Sequence, residues 1–225
     1  MSSFAPVAAH EGTPLPLRSR VVLLAGPSGS GKSSLAARCG LPVLVLDDFY
    51  KNGDDPTLPA LPGSSAVDWD APGSWHADAA VAAVTELCTR GAADTPVYDI
   101  AASSVAGHTR LDLDGAPVFV AEGVFAAEIA ARCGELGLLA DALCLRGRPA
   151  ATARRRFLRD LREGRKSVRF LIRRGWHLMR AERGIVARQV ALGCHPCGRD
   201  EALARITAAA APAPAEPAAA LTVDA

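Results

Sequence analysis

The sequence predicts an α/β protein: three layers, a parallel sheet of about five strands, and an Arg-rich helical lid. Two observations carry this. Continuous apolar runs of four or five residues alternate with stretches that repeat apolar residues at helical spacing, the pattern of strands buried on both faces between helices. The first run leads at once into a glycine-rich loop and a helix start, GPSGSGKS over 26–33.

The elements follow in order. Residues 1–19 are rich in Pro and small side chains and read as a flexible leader. VVLLA at 21–25 reads as a buried strand, and Lys32 to Cys39 as a helix stopped by Gly40. VLVL at 43–46 reads as a second strand. Residues 51–73 are turn-rich, with Pro56, Pro59, Pro62 and Pro72. Ser74 can cap a helix whose Val81, Val84, Leu87 and Cys88 share a face, ended by Arg90 and Gly91. PVFVA at 117–121 and DALCL at 141–145 read as two further buried strands. Pro149 can open a helix with an Ala153, Phe157, Leu161 stripe, and another helix is expected from about Ser167. Residues 208–225 are Ala/Pro-rich and read as a disordered tail, leaving one domain over 20–207 with its lid at about 149–188.

Composition narrows the class. With 49% hydrophobic and 22% charged residues in 225, a full core is available and general disorder is excluded. No apolar run approaches the ~18 residues of a membrane span, and the N-terminus lacks a secretory pattern. Six Cys then read as reduced thiols of a cytoplasmic protein. Cys39, Cys88, Cys133 and Cys144 lie in apolar contexts, and Cys194 with Cys197 lacks the second ligand pair of a zinc site.

GPSGSGKS satisfies G-x-x-x-x-G-K-[ST] in full, between a strand and a helix, where the motif works. Backbone N–H groups must wrap phosphate, and glycine lets the chain curl that tightly. The helix that follows aims its positive end at the same anion. Gly26, Pro27, Ser28, Gly29, Ser30, Gly31, Lys32, Ser33 and Ser34 are therefore expected to bind ATP. Lys32 reaches the β- and γ-phosphates, and the Ser33 hydroxyl binds Mg²⁺. The chain is thus expected to adopt the P-loop NTPase fold. Ligands of such sheets sit at the carboxyl ends of the strands, where the second strand runs into Asp47 and Asp48 and the third into Glu122. An acid there can bind Mg²⁺ or accept a proton from a substrate hydroxyl.

LDDFYK at 46–51, VDWDAP at 67–72, PVYDI at 96–100, VAEG at 120–123 and RRFLRDLREGR at 155–165 follow the loop in order. In this the chain, over about residues 20–195, resembles the uridine/cytidine kinases, P-loop kinases related to phosphoribulokinase and pantothenate kinase. The resemblance implies that Asp47 is the catalytic base for a nucleoside 5′-hydroxyl and that Asp48 stands where Ser is frequent. It implies that Asp70 holds the ribose hydroxyls, Tyr98 borders the nucleobase, and Glu122 is a Mg²⁺-associated acid. Metal contacts would then come from Ser33, Asp47 and Glu122. Arg156, Arg159 and Arg165 match basic residues of the lid and substrate site, with Arg156 also touching substrate and Arg165 the nucleotide. Three positions depart from the pattern: Ser103 replaces a His, Ile100 a Phe, and Arg173 falls near a base-reading Gln.

The net charge of +1 hides a segregation. Residues 146–188 hold fifteen Lys or Arg against three acids, and the rest of the chain ten against 21. A basic segment on an acidic body suggests a local anionic ligand. Arg155, Arg159 and Arg162 repeat at helical spacing, with Arg156 beside them. The segment's sparse aromatics (Phe157, Phe170, Trp176) argue against single-strand stacking. The expected activity is ATP- and Mg²⁺-dependent phosphorylation of a nucleoside 5′-hydroxyl, that of uridine or cytidine first. The partner is a small-molecule nucleoside, with no nucleic acid and no membrane, and self-association is left open. Two alternatives stand: a kinase for another small alcohol, such as pantothenate or a vitamin riboside, and an ATP-binding regulatory module without turnover.

One test follows from the basic segment. Guanidinium groups that meet the moving phosphoryl stabilise charge that spreads only during transfer. Arg159→Lys keeps the charge and loses the planar fork. Steady-state kinetics should show kcat lowered at least ~10-fold, ~1.4 kcal/mol of barrier, with little change in the ATP KM.

Overall fold

A computed structural model describes residues 16–146 and 184–211. The expected lid helices, with Arg155, Arg156, Arg159, Arg162, Arg165 and Arg173, lie outside the described residues, as do 1–15 and 212–225.

Five strands form one parallel sheet in the order β2-β5-β1-β6-β7. They are β1 (Arg20–Ala25), β2 (Val43–Val45), β5 (Val118–Glu122), β6 (Leu139–Leu145) and β7 (His195–Cys197). The four expected apolar runs supply the first four. Central β1 and β5 alternate between two cores. Val21, Leu23, Phe119 and Ala121 face a cluster closed by α2 (Ala77–Arg90) and α3 (Ala130–Glu135). Val22, Leu24, Val118 and Val120 face a second, closed by α1 (Lys32–Ala36) and α5 (Arg199–Ala210). Period-two side chains buried on both sides explain why these runs lack polar residues. A helix over 184–191, α4, precedes β7.

The fifth strand arises from the C-H-P-C segment, which carries no apolar periodicity. It is three residues long and holds Pro196, which an edge strand tolerates. Cys194 and Cys197 are buried, and burial pushes their thiols up to about 12 and about 11. Among the described residues no group of three or more His, Cys, Asp or Glu is placed to hold a metal.

Other boundaries differ from expectation. The backbone N–H groups of Arg18 and Ser19 donate to Cys88 O at 2.8 and 3.2 Å, so the leader ends before 18 rather than at 19. α5 continues to Ala210, so Ala208, Ala209 and Ala210, assigned to the tail, are helical. α1 stops at Ala36 because the chain tightens, Arg38 N–H bonding Leu35 O at 3.0 Å. β2 ends at Val45, and Leu46 opens a 3₁₀ turn, Leu46–Phe49. Ser74 does not cap α2. Its hydroxyl donates to Ala71 O at 2.7 Å inside a turn over Pro72–Ser74, and the helix begins at Ala77. Its expected end holds: Gly91 adopts φ 83° and donates to Leu87 O at 2.9 Å.

Two further features shape the site. β3 (Ala92–Asp99) and β4 (Ser104–Asp112) form a separate antiparallel hairpin. The 3₁₀ turn is clamped to residues 74–76: Lys51 N–H bonds Ser74 O at 2.9 Å and His76 N–H bonds Phe49 O at 2.9 Å. Trp75 Nε1 donates to Leu46 O at 2.7 Å across 29 residues. Among the described residues no helix is long and apolar enough to cross a membrane.

Trp75→Phe keeps the apolar bulk of a side chain only 3% exposed and leaves Leu46 O without its donor. A buried unsatisfied group costs ~1–3 kcal/mol. Urea denaturation should show a loss in that range at unchanged m-value. An unaltered midpoint would show that the clamp contributes nothing.

Candidate active site

The site lies where β1, β5 and β6 end. Leu24 pairs with Glu122 in the β1–β5 register, so the loop after Ala25 and the acid of β5 share one sheet edge. Gly26 adopts φ 150°, and a Cβ there would lie 2.8 Å from Leu145 O at the end of β6. Gly29 (φ 79°) and Gly31 (φ 99°) take left-handed turns that L side chains resist, and Gly31 N-caps α1. These conformations curl the loop between two strand ends.

Lys32 is 6% exposed. Its Nζ donates to Gly26 O at 2.9 Å and to Pro27 O at 3.3 Å, so the ammonium braces its own loop. Glu122 is 5% exposed, and burial raises the pKa of its carboxyl. A hydrogen bond from the Ser33 hydroxyl and the Lys32 charge oppose that rise, while Asp47 and Asp48 add to it. Four expected site residues, Lys32, Ser33, Asp47 and Glu122, are thus brought together electrostatically. Mg²⁺ usually keeps one or two carboxylates and completes its shell with phosphate oxygens and water. A buried carboxylate hydrogen-bonded to the loop hydroxyl, with a second acid beside it, fits that demand. Ser33, Glu122 and Asp47 are the residues that would hold the ion.

The two neighbouring aspartates have different attachments. Asp47 Oδ1 accepts from Val124 N–H at 2.9 Å, which fixes it to the loop after Glu122. Asp48 Oδ1 accepts from Tyr98 N–H at 3.1 Å, which ties it to the hairpin. Burial, the leading cause, raises the Asp48 pKa. Asp48 thus anchors β3, whereas Asp47 stays within the field of Glu122.

Around them lies an aromatic group of which only Tyr98 was an expected site residue. Tyr50 sits 6.0 Å from Trp69, 5.9 Å from Tyr98 and 5.8 Å from Phe125, centroid to centroid. Burial first, then the charges of Asp47 and Asp70, push the Tyr50 phenol far above its ordinary range. Asp70 and Asp47 thus both act on the same phenol. The Tyr98 hydroxyl donates to Lys51 O at 2.9 Å. The signal for Tyr50 was its place in LDDFYK, three residues past Asp47. The departing residues Ile100 and Ser103 stand at the hairpin tip. Ile100 is 65% exposed, and Ser103, at φ 51°, accepts from Gly53 N–H at 2.7 Å. His108 lies further along β4, opposite Pro96. Arg156, Arg159 and Arg165 fall outside the described residues. A cleft of about 1010 Å³ lined by Pro16, Arg18, Arg90 and Arg132 contains none of the site residues. Chemistry and position at the strand ends, rather than size, identify the site.

No family model matches the sequence, and no curated protein matches it significantly. Among solved structures, a protein proposed to be a fructose transport system kinase from Silicibacter sp. TM1040 superposes with TM-score 0.56 at 19% identity, over 75% of this chain and 85% of that one. A protein proposed to be a uridine kinase from Bacillus stearothermophilus has TM-score 0.43 at 18% identity, over 60% and 74%. The YGR205w protein has TM-score 0.45 at 14% identity, over 81% and 86%. The first of these, with the sheet order and the loop described above, defines the class: the chain has the fold of the P-loop kinases.

Gly123 was missed as a site residue. A Cβ there would meet Leu46 Cβ at 2.8 Å and Asp47 Oδ1 at 2.9 Å. Gly123→Ala must therefore displace Asp47. We expect kcat to fall at least ~10-fold, ~1.4 kcal/mol, with the ATP KM near its wild-type value. An unchanged kcat would mean that the position of Asp47 does not matter.

Proposed function

We propose that the chain is an ATP- and Mg²⁺-dependent kinase that phosphorylates the hydroxyl of a small molecule, with the 5′-hydroxyl of uridine or cytidine as the first candidate. One observation supports this above the others: Lys32, Ser33, Glu122 and Asp47 converge at the loop, beside an aromatic group that can hold an acceptor. In this reading the 26–33 backbone wraps the triphosphate. Lys32 leaves its own carbonyls for the β- and γ-oxygens. Mg²⁺, when bound, neutralises charge on those phosphates. Asp47, held through one oxygen by Val124 N–H, offers the other to the acceptor hydroxyl, orients it and takes its proton. Tyr98, Tyr50 and Trp69 present ring faces to the acceptor, and Asp70 receives its hydroxyls. The family resemblance of LDDFYK and VDWDAP supports a nucleoside. The reading also includes a cytoplasmic protein.

A sugar acceptor is the second reading. The structure with TM-score 0.56 carries a fructose transport system kinase description. In addition, Ile100 and Ser103 replace residues of the nucleoside-binding pattern. Ring faces stack sugars as well as bases.

ADP release should be scored across uridine, cytidine, pantothenate, a vitamin riboside and fructose, with wild type, Asp47→Asn and Asp48→Asn. We expect one acceptor class to stimulate release. Asp47→Asn should lower that rate at least ~100-fold, ~2.7 kcal/mol, with nucleotide affinity kept. Asp48→Asn should do less. Nucleotide binding without stimulated release by any acceptor would favour the regulatory module.

A further inference from the structure

The nucleotide loop has a contact from the far end of the chain. β7 runs parallel to β6, with Leu145 opposite Cys197, and Arg146 N–H bonds Cys197 O at 2.9 Å. Leu145 O in turn lies against Gly26. Gly198 and the start of α5 therefore share the sheet edge that carries the phosphate loop. There Arg199 Nη2 donates to Ser34 Oγ at 2.8 Å, across 165 residues. Its Nε is buried and finds no hydrogen-bond partner among the described residues. Nor is its charge spent on a neighbour among the described residues. Asp200 and Glu201 share its helical turn, but Glu201 is engaged by His195 at 2.8 Å. Among the described residues no carboxylate lies within ion-pair distance of Arg199.

The donor chemistry gives this bond a direction. Arginine only donates, so Ser34 Oγ must accept. The hydroxyl hydrogen of Ser34 is then free to point elsewhere. Ser34 is exposed and lies in the first turn of α1, directly after Lys32 and Ser33. The backbone of such a loop cradles the α- and β-phosphates, so the acceptor arriving in front of that hydroxyl is a phosphate oxygen. A cation behind it strengthens the hydroxyl as a donor. We propose that Arg199 is a positioning residue for the nucleotide: it fixes and polarises the Ser34 hydroxyl, which donates to the phosphate nearest the nucleoside. The inference rests on the nucleotide-binding reading above and extends it to α5.

Calorimetric titration of ADP into wild type, Arg199→Ala, Ser34→Ala and the double variant tests it. Each single variant should bind ADP about 10-fold more weakly, about 1.4 kcal/mol. The double variant should bind no more weakly than the worse single, because both remove one relay. Arg199→Lys should recover most of the affinity, since one hydrogen bond to a hydroxyl needs no planar fork. In steady state the ATP KM should rise with kcat little changed, a split that a general packing defect would not give. Losses that add in the double variant, or an Arg199→Ala affinity equal to wild type, overturn the proposal. If Arg199→Ala does not fold, Arg199→Met, which keeps bulk and has no donor, takes its place in the cycle with the same expectation. Lys32→Ala, titrated alongside, separates the two levels. ADP affinity unaffected by Lys32→Ala would reject nucleotide binding by the loop itself. Affinity lost there and kept in Arg199→Ala would reject only the role of Arg199.

Discussion

A buried ammonium and a buried carboxylate lie within each other's field at the edge where two paired strands end, and the site depends on keeping both there. Lys32 and Glu122 are 6% and 5% exposed. A buried charge is costly unless it is hydrogen-bonded or held in a favourable field. The chain satisfies Lys32 with Gly26 O and Pro27 O, while the Ser33 hydroxyl and the Lys32 charge oppose the cost of burying Glu122. Each solution requires the loop to curl back on itself. That curl needs Gly26 against Leu145 O and left-handed Gly29 and Gly31. The sheet register then places Glu122 beside the loop, because Leu24 pairs with it. The loop glycines, the register and the core alternation are thus parts of one constraint.

The aromatic side of the site is built differently. Its residues come from outside the parallel sheet: the 3₁₀ turn, the 67–75 stretch and the β3–β4 hairpin. Long-range polar contacts, rather than one continuous ladder, tie these segments together. Trp75 Nε1 holds Leu46 O, Asp48 holds Tyr98 N–H, and Asn52 Oδ1 accepts from Val105 N–H at 3.0 Å. Asp47 is fixed between these two halves, bonded to Val124 N–H and in reach of Glu122's field. The adjacent aspartates divide the work: one spans to the hairpin and the other remains at the sheet edge.

The phosphate half of the site was legible because its chemistry is local. GPSGSGKS carries its glycines, lysine and serine within eight residues, and the flanking strand is a plain apolar run. Glu122 was legible as the acid ending another such run. The rest depends on contacts between distant segments. β7 is a three-residue edge strand with a proline, so no periodicity marks it. Ser74 has the chemistry of a helix cap, but its hydroxyl bonds inside a turn because α2 starts later. The distinction between Asp47 and Asp48 lies in which backbone N–H each meets, 77 and 50 residues away. Gly123 looks like any loop glycine until Leu46 and Asp47 close on it.

Phosphoryl transfer from ATP to a bound hydroxyl is the chemistry proposed for this site. Mass spectrometry of the acceptor after incubation with ATP and Mg²⁺, for wild type and Lys32→Ala side by side, tests this most directly. The account predicts that the acceptor gains one phosphoryl group with wild type and remains unmodified with a folded Lys32→Ala protein. ATP consumed with no phosphorylated acceptor, or equal product from both proteins, would contradict it.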